Sequence, residues 1–199
     1  MRPLFLGGHP ALDFLNTRPS PRGVPVELIG DGGSYAEWLE RAGLLHGTTA
    51  STLKRRFGQA ALDAAAADAR HLREWAGDWV GRWRDAHGGA YGPELRRLNH
   101  LMARAACYPE MVITKGACHV AERWRIDSAG ELAAIVAAQI ASLFATEQPA
   151  LVKRCVGPGC TLWFVDRTKR HSRLFCSATA CGNRAKVAAF RERQRGTGG

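Results

Sequence analysis

"CVGPGCTLWFVDRTKRHSRLFCSATACGNR", residues 155–184, sets four cysteines in two matched pairs. Four residues separate Cys155 from Cys160, four separate Cys176 from Cys181, and fifteen lie between the pairs. Four thiolates in a compact segment suit one closed, tetrahedral structural zinc ion, with no position left open for chemistry. Four cysteines can also hold an iron–sulfur cluster. The matched spacing favours zinc. Between the first two ligands, "VGPG" lets the chain wrap tightly around an ion. "TLWFVD" (161–166) reads as a strand, "RTKRHSR" (167–173) as a basic turn, and "LF" (174–175) as a returning strand. "CGNRAKVAAFRERQR" (181–195) reads as a helix. The expectation is a zinc-stapled β-hairpin followed by a helix. Gly182 is read as easing the backbone past the metal, Asn183 as a helix cap and His171 as a surface residue. So short a segment has too little core to fold alone, and the metal must supply folding energy. Chelation is therefore expected to unfold this module and spare the rest.

Working outward, charge singles out the same region. Of a net charge of +10, residues 151–199 carry +9 and residues 1–150 only +1. Such a segment calls for an acidic partner, and nucleic acid is the commonest. On a helix turning about 100° per residue, Arg184, Arg191 and Arg195 project one way and Lys186 and Arg193 nearly opposite. Val187 and Phe190 lie between and are the expected anchor. With Arg167, Lys169, Arg170 and Arg173 of the basic turn, these nine residues form the candidate nucleic-acid surface, Arg184 alternatively bracing the site against the helical domain. Trp163 and Phe164 offer stacking surface for a single strand, with one of the two expected to be buried.

The remaining 150 residues read as one mainly α-helical domain. "HPALDFLNT" (9–17) opens it, and Pro19, Pro21 and Pro25 make the following loop irregular. "SYAEWLERAGLL" (34–45) starts with Ser34 as N-cap and Glu37 completing a capping box. "TTASTLKRRFGQA" (48–60) carries cap residues at its start and is weakened by Gly58. Leu72, Trp75, Trp79 and Trp83 recur on one face of a long helix and are read as core. Gly88, Gly89 and Gly92 break the chain before "PELRRLNHLMARAA" (93–106). Two β-leaning runs flank Lys115-Gly116, a hairpin turn. "SAGE" (128–131) is a second capping box, and the helix after it puts Leu132, Ile135, Val136, Gln139, Ile140 and Leu143 on one face. Pro149 closes that helix, so the linker is short and the two parts should touch. Cys107 and Cys118 fall outside the paired spacing and are read as buried small hydrophobes.

The apolar run 132–145 is too short to span a bilayer, and the opening residues lack a signal-peptide pattern. A soluble, cytoplasmic protein with no membrane partner is expected. His9, Asp13, Asn16 and Thr17 form a polar cluster beside an apolar helix and are the candidate small-molecule pocket. No nucleophile–base pair, phosphate loop or open metal site is apparent, so no enzymatic activity is expected.

The segment "CVGPGCTLWFVDRTKRHSRLFCSATACGNRAKVAAFRERQR" (155–195) resembles the CGNR zinc finger family, whose four signature residues stand at 181–184. "GGHPALDFLNT" (7–17) resembles the opening of the helical ABATE domain that accompanies that finger. One departure is "RLFC" at 173–176, where the family more often shows "RRWC". The resemblance implies a bacterial transcription regulator, sometimes described as stress-induced. An RNA-binding zinc-ribbon role is the alternative it carries. The expected organisation is a helical ABATE-like domain over 1–150 and a CGNR-type finger over 151–199. The finger would bind DNA, and the helical domain would sense a ligand or form a homodimer.

Overall fold

The computed structural model describes residues 5–20, 23–45, 47–86 and 91–196. Pro21, Gly88, Gly89 and the last three residues lie outside them, as do the side chains of Phe190, Arg193 and Arg195. The order is α1 (Pro10–Leu15), α2 (Gly32–Arg41), α3 (Ala50–Phe57), α4 (Gln59–Ala86), α5 (Gly92–Met102), β1 (Ala106–Thr114) and β2 (Ala117–Arg125). Then come α6 (Leu132–Thr146), β3 (Val152–Arg154), β4 (Trp163–Val165) and α7 (Asn183–Gly196). It is the mainly helical fold expected, with one hairpin in the first part and a strand pair and helix in the second.

The core forms where the apolar faces of α1, α2, α4 and α6 meet. Trp79 and Trp83 of α4 are buried, and Trp79 stacks on the Phe144 ring of α6 at 3.9 Å between centroids. Leu132, Ile135, Val136, Ile140 and Leu143 fill the centre from α6, while Gln139 is only half-buried. With the 3-10 turn ahead of it, α6 extends to Ala129–Thr146, which by length and apolar composition alone would suffice to cross a bilayer. That corrects the shorter estimate from the sequence. Its apolar face is packed against α1, α4 and α5, as in the core helix of a globular domain.

Two cap assignments differ from the sequence reading. Asp31, not Ser34, is the N-cap of α2. Its carboxylate accepts from Ser34 N at 2.7 Å, and the Ser34 hydroxyl accepts from Asp31 N at 3.0 Å. The box is shifted three residues because a carboxylate caps as well as a hydroxyl. In "SAGE", Glu131 accepts from Asp127 N and the Ser128 hydroxyl, but Ser128 returns no cap bond to the backbone. Gly58 has a left-handed φ of 76° and splits α3 from α4 outright.

α2 lies close on α4. A Cβ added at Gly32 would stand 2.3 Å from the Leu62 backbone carbon and Cβ. Gly32→Ala must therefore push two helices apart, and a loss of about 1–3 kcal/mol is expected in urea unfolding. Unchanged stability would show that the helices part freely.

β1 and β2 pair antiparallel over nine residues each, turning through Lys115 and Gly116 at φ 53° and 80°. Positive φ at both positions is the type I′ geometry that matches strand twist. Both strands are largely solvent-exposed. Cys107 and Cys118 lie on them and are exposed, contrary to the expected burial. The physical reason is that most of the ribbon stands clear of the helices instead of packing beneath them.

Candidate metal centre and nucleic-acid interface

The second strand pair is not the one expected. β4 pairs with β3, residues 152–154, in register Val152–Val165, Lys153–Phe164 and Arg154–Trp163. The hairpin therefore frames the Cys155–Cys160 turn, and 174–175 adds no strand. Leu174 O does accept from Val156 N at 3.0 Å, which draws the second cysteine pair towards the first.

All four Sγ atoms lie within 4.8 Å of one another. Cys160 and Cys176 Sγ are 3.8 Å apart, and Cys176 and Cys181 Sγ are 3.5 Å apart. Tetrahedral zinc with ligands at about 2.3 Å needs sulfurs roughly 3.8 Å apart. The four cysteines could thus hold one zinc ion. Leu162, Phe164 and Phe175 pack around the cluster. Burial, then the neighbouring thiolates, raises the Cys176 thiol well above its ordinary range. Burial likewise raises Cys160 to about 11. Burial also acts to raise Cys155, but the N–H groups of Cys176 and Gly157, 3.3 and 3.4 Å from its sulfur, outweigh it and lower the thiol. Sulfurs gathered this closely repel one another as thiolates, and a bound cation offsets that repulsion.

Gly157, not Gly182, is the residue that close approach requires. A Cβ there would meet Cys181 Cβ and Sγ at 3.2 and 3.3 Å, whereas one at Gly182 would find only ordinary contacts. Asn183 is an exposed first residue of α7, and the cap bond ahead of it comes from Ser177, whose hydroxyl accepts from Ala180 N. Arg184 Nη2 donates to Cys181 Sγ at 2.9 Å, and that bond raises its basicity further. It places positive charge on a ligand sulfur, where a tetrathiolate zinc site carries excess negative charge.

Asp166 organises the basic turn. It is fully buried and accepts from Lys153 Nζ (2.6 Å), Thr168 N (3.0 Å), Thr168 Oγ1 (2.6 Å) and Arg173 N (2.8 Å). Burial opposes its charge, but these donors prevail and hold its pKa far below the usual carboxylate range. The sequence reading passed over this residue. A lone acid within a basic run was the available signal.

The structure separates the nine candidate basic residues. Arg173 turns inward, donating to Phe175 O at 2.9 Å with its guanidinium 4.2 Å over the Phe164 ring. Arg167 pairs with Glu147 and also bonds Gly8 O. Arg184 serves the metal centre. Lys169, Arg170, Lys186 and Arg191 are exposed and make no ion pair among the described residues. Arg193 and Arg195 lie on α7 with side chains outside the described set. Val187, expected to anchor the helix, is 49% exposed, and only Ala185 among the described side chains from 183 onward is half-buried.

Neither ring at 163–164 is available for stacking, since Trp163 is 4% exposed and Phe164 0%. The pleat points them to opposite faces of β4, and both faces are covered. Trp163 enters the helical core, flanked by the guanidinium groups of Arg154 and Arg84, while Phe164 faces the cysteines.

In the polar cluster of the first helix, Asn16 forms the seam to this module and the other three bond within the helical domain. Asn16 Nδ2 donates to Trp163 O at 2.9 Å, and Asn16 Oδ1 accepts from Trp163 N at 2.7 Å. His9 Nδ1 caps α1 by accepting from Ala11 N. Thr17 Oγ1 donates to Phe14 O and accepts from buried Arg73, which also holds Glu27 at 2.6 and 2.7 Å. Asp13 Oδ1 accepts from Gly7 N at 2.7 Å. All four side chains are buried and hydrogen-bonded to protein among the described residues. A cavity of about 330 Å³ does lie beside the seam, lined by Leu15, Arg18, Arg73, Glu74, Arg154 and Trp163 among others.

Burial raises Asp13 to about 6, against the N–H bonds from Gly7 and Leu6. Its unfolded value is about 4, so between pH 4 and 6 the folded chain holds a proton the unfolded chain has lost. Asp13 thus costs stability as pH rises through that window. Asp13→Asn removes the titration, and its stability relative to the parent should climb by about 1–2 kcal/mol from pH 4 to 7 after allowance for screening. Parallel pH profiles would show that Asp13 ionises normally.

A family model described as "ABATE: putative stress-induced transcription regulator" matches residues 8–147, and one for the CGNR zinc finger matches residues 152–194. The chain belongs to the ABATE family, with a CGNR finger. No curated protein matches it. Asn16 and Trp163, one from the ABATE domain and one from the CGNR finger, are thus hydrogen-bonded partners in a continuous interior.

Proposed function

We propose that this ABATE–CGNR protein is a cytoplasmic, non-enzymatic regulator that lays α7 in the major groove of duplex DNA. The observation that carries the reading is the exposure of all but one of the described side chains of α7, while Arg184 and Cys181 tether its start to the metal centre. A fourteen-residue helix is roughly 21 Å long and 10–12 Å across, the bore of the groove. Lys186 on one side and Arg191 on the other would meet phosphates on opposite walls, with Lys169 and Arg170 adding charge. Burial of both rings in β4 favours the duplex over a single strand stacked at that site. Four thiolates close the metal centre to substrate, and the exposed thiols Cys107 and Cys118 suit a reducing compartment. An effector would bind in the seam cavity, where both domains contribute walls and a ligand would bias their contact.

The test is affinity of the zinc-loaded chain for duplex DNA and for RNA between 50 and 200 mM salt. Four phosphate contacts give a slope near −4 on a log–log plot, roughly a hundredfold loss over that range. Lys186→Gln with Arg191→Gln should flatten the slope by about two. Binding indifferent to salt, or tighter to single-stranded RNA, overturns the reading.

A further inference from the structure

The β1–β2 ribbon has two unlike faces. Residues directly opposite in an antiparallel pair share a face. One face therefore carries Tyr108 with Arg123, Glu110 with Ala121, and Val112 with His119. Its charges are matched internally: Arg123 pairs with Glu110, and Arg125 lies 5.8 Å over the Tyr108 ring. The other face carries Cys107 with Trp124, Pro109 with Glu122, Met111 with Val120, and Ile113 with Cys118. Glu122 is its only charge. Trp124, at the base, packs against the main core, and from there the apolar stripe runs out into solvent. Met111 is 75% exposed, Ile113 72% and Val120 65%.

We infer that this face is a homodimer interface, covered by the same face of a second copy. Three observations choose that occupant. The first is area. Met111, Ile113 and Val120 alone present on the order of 400 Å², comparable to the largest apolar patch on a typical monomer. With Cys107, Pro109 and Cys118 added, two such faces together remove on the order of 1,000 Å² from water, the size at which specific interfaces begin. The second is charge. A face without a single cation is unsuited to nucleic acid or to an anionic lipid surface, and two exposed strands supply no enclosing walls for a small molecule. The third is self-complementarity. The stripe has a thiol near each end, Cys107 at the base and Cys118 near the tip. Two ribbons stacked head to tail about a two-fold axis place each base over the other's tip, an isologous contact that closes on itself. The stack turns two bare two-stranded ribbons, a form with little stability of its own, into a four-stranded sandwich. The inference stands apart from the DNA reading.

The experiment is the mass of the full zinc-loaded chain by sedimentation equilibrium from low to high micromolar concentration. A dimer is expected. Met111→Glu and, separately, Val120→Lys should each weaken association about a hundredfold or more, because symmetry buries the new charge twice. Both side chains are already largely in water, so far-UV circular dichroism and zinc content should stay at parental values. Thr114→Lys, on the opposite face, should leave the dimer intact. A short bis-maleimide should link Cys107 of one copy to Cys118 of the other, and Cys107→Ser should abolish the link. A parent that stays monomeric throughout overturns the inference. So does a dimer that survives Met111→Glu, or a monomer that sediments instead with neutral lipid vesicles.

Discussion

Chelating the metal is expected to strip amide protection from the outer part of the finger and leave its inner strands protected. Amides held only by the cysteine turns should exchange: Val156 (to Leu174 O), Cys160 (to Gly157 O) and Gly182 (to Ser177 O). α7 should melt with them, because Arg184 and Cys181 are its main tether. Val165 and Asp166 should stay slow. Their N–H groups bond Gly7 O and Leu151 O at 2.8 Å, and Val152, Trp163 and Val165 are part of the helical core. The magnitude is large, since structural zinc supplies on the order of 10 kcal/mol at neutral pH. Cys181→Ser should reproduce the pattern in hydrogen exchange. Protection lost at Val165 and Asp166 along with the rest would mean that the metal holds the seam too. This modifies the expectation that the finger unfolds as a unit. The dividing line runs along β4, between its two faces.

The second large effect is expected from Asp166→Ala. The substitution leaves the Lys153 ammonium only the His171 carbonyl and water, and leaves the N–H groups of Thr168 and Arg173 without their acceptor. Removing the buried acceptor of a partly exposed ammonium and of two backbone N–H groups costs about 2–3 kcal/mol. The loop 167–173 should disorder, and DNA affinity should fall with it if Lys169 and Arg170 contribute. Below about pH 4 the parent should move towards the variant, because a depressed carboxylate gives up its stabilisation as pH falls through its folded pKa. Urea titrations of zinc-loaded parent and variant at pH 7 would measure the difference. A loss below about 1 kcal/mol would show that water replaces the carboxylate.

What the sequence disclosed depended on the range of the signal. The turn at Lys115-Gly116, the α6 face and the matched cysteine pairs are written in neighbouring residues, and all three appear in the fold. The misreadings concern what lies across a long stretch of chain. "LF" looked like the partner of "TLWFVD" because it follows closely, yet Val152–Arg154 on the other side of the cysteine turn takes that place. Trp163 and Phe164 were stacking candidates of which one was expected to be buried; both are, because the helical core, with Arg84 and Arg154 over the ring, covers Trp163. Cys107 and Cys118 looked buried from residue type, but a projecting ribbon has no interior. Arg173 counted as free charge and Arg184 was open between phosphate and brace, and their acceptors are carbonyl oxygens and a ligand sulfur far from any signal in residue type.

The Asn16–Trp163 bond pair spans 147 positions. A ribosome adding about 5–20 residues per second finishes Trp163 on the order of ten seconds after Asn16. Throughout that interval the first helix has its amide side chain made and its partner strand missing. The domain's last core residues, Trp163 and Val165, arrive only with the finger, so a message cut short before β4 yields a chain with an open flank. Quality control acting on nascent chains would therefore see full-length and truncated products as different surfaces, even though every helix of the first domain is present in both.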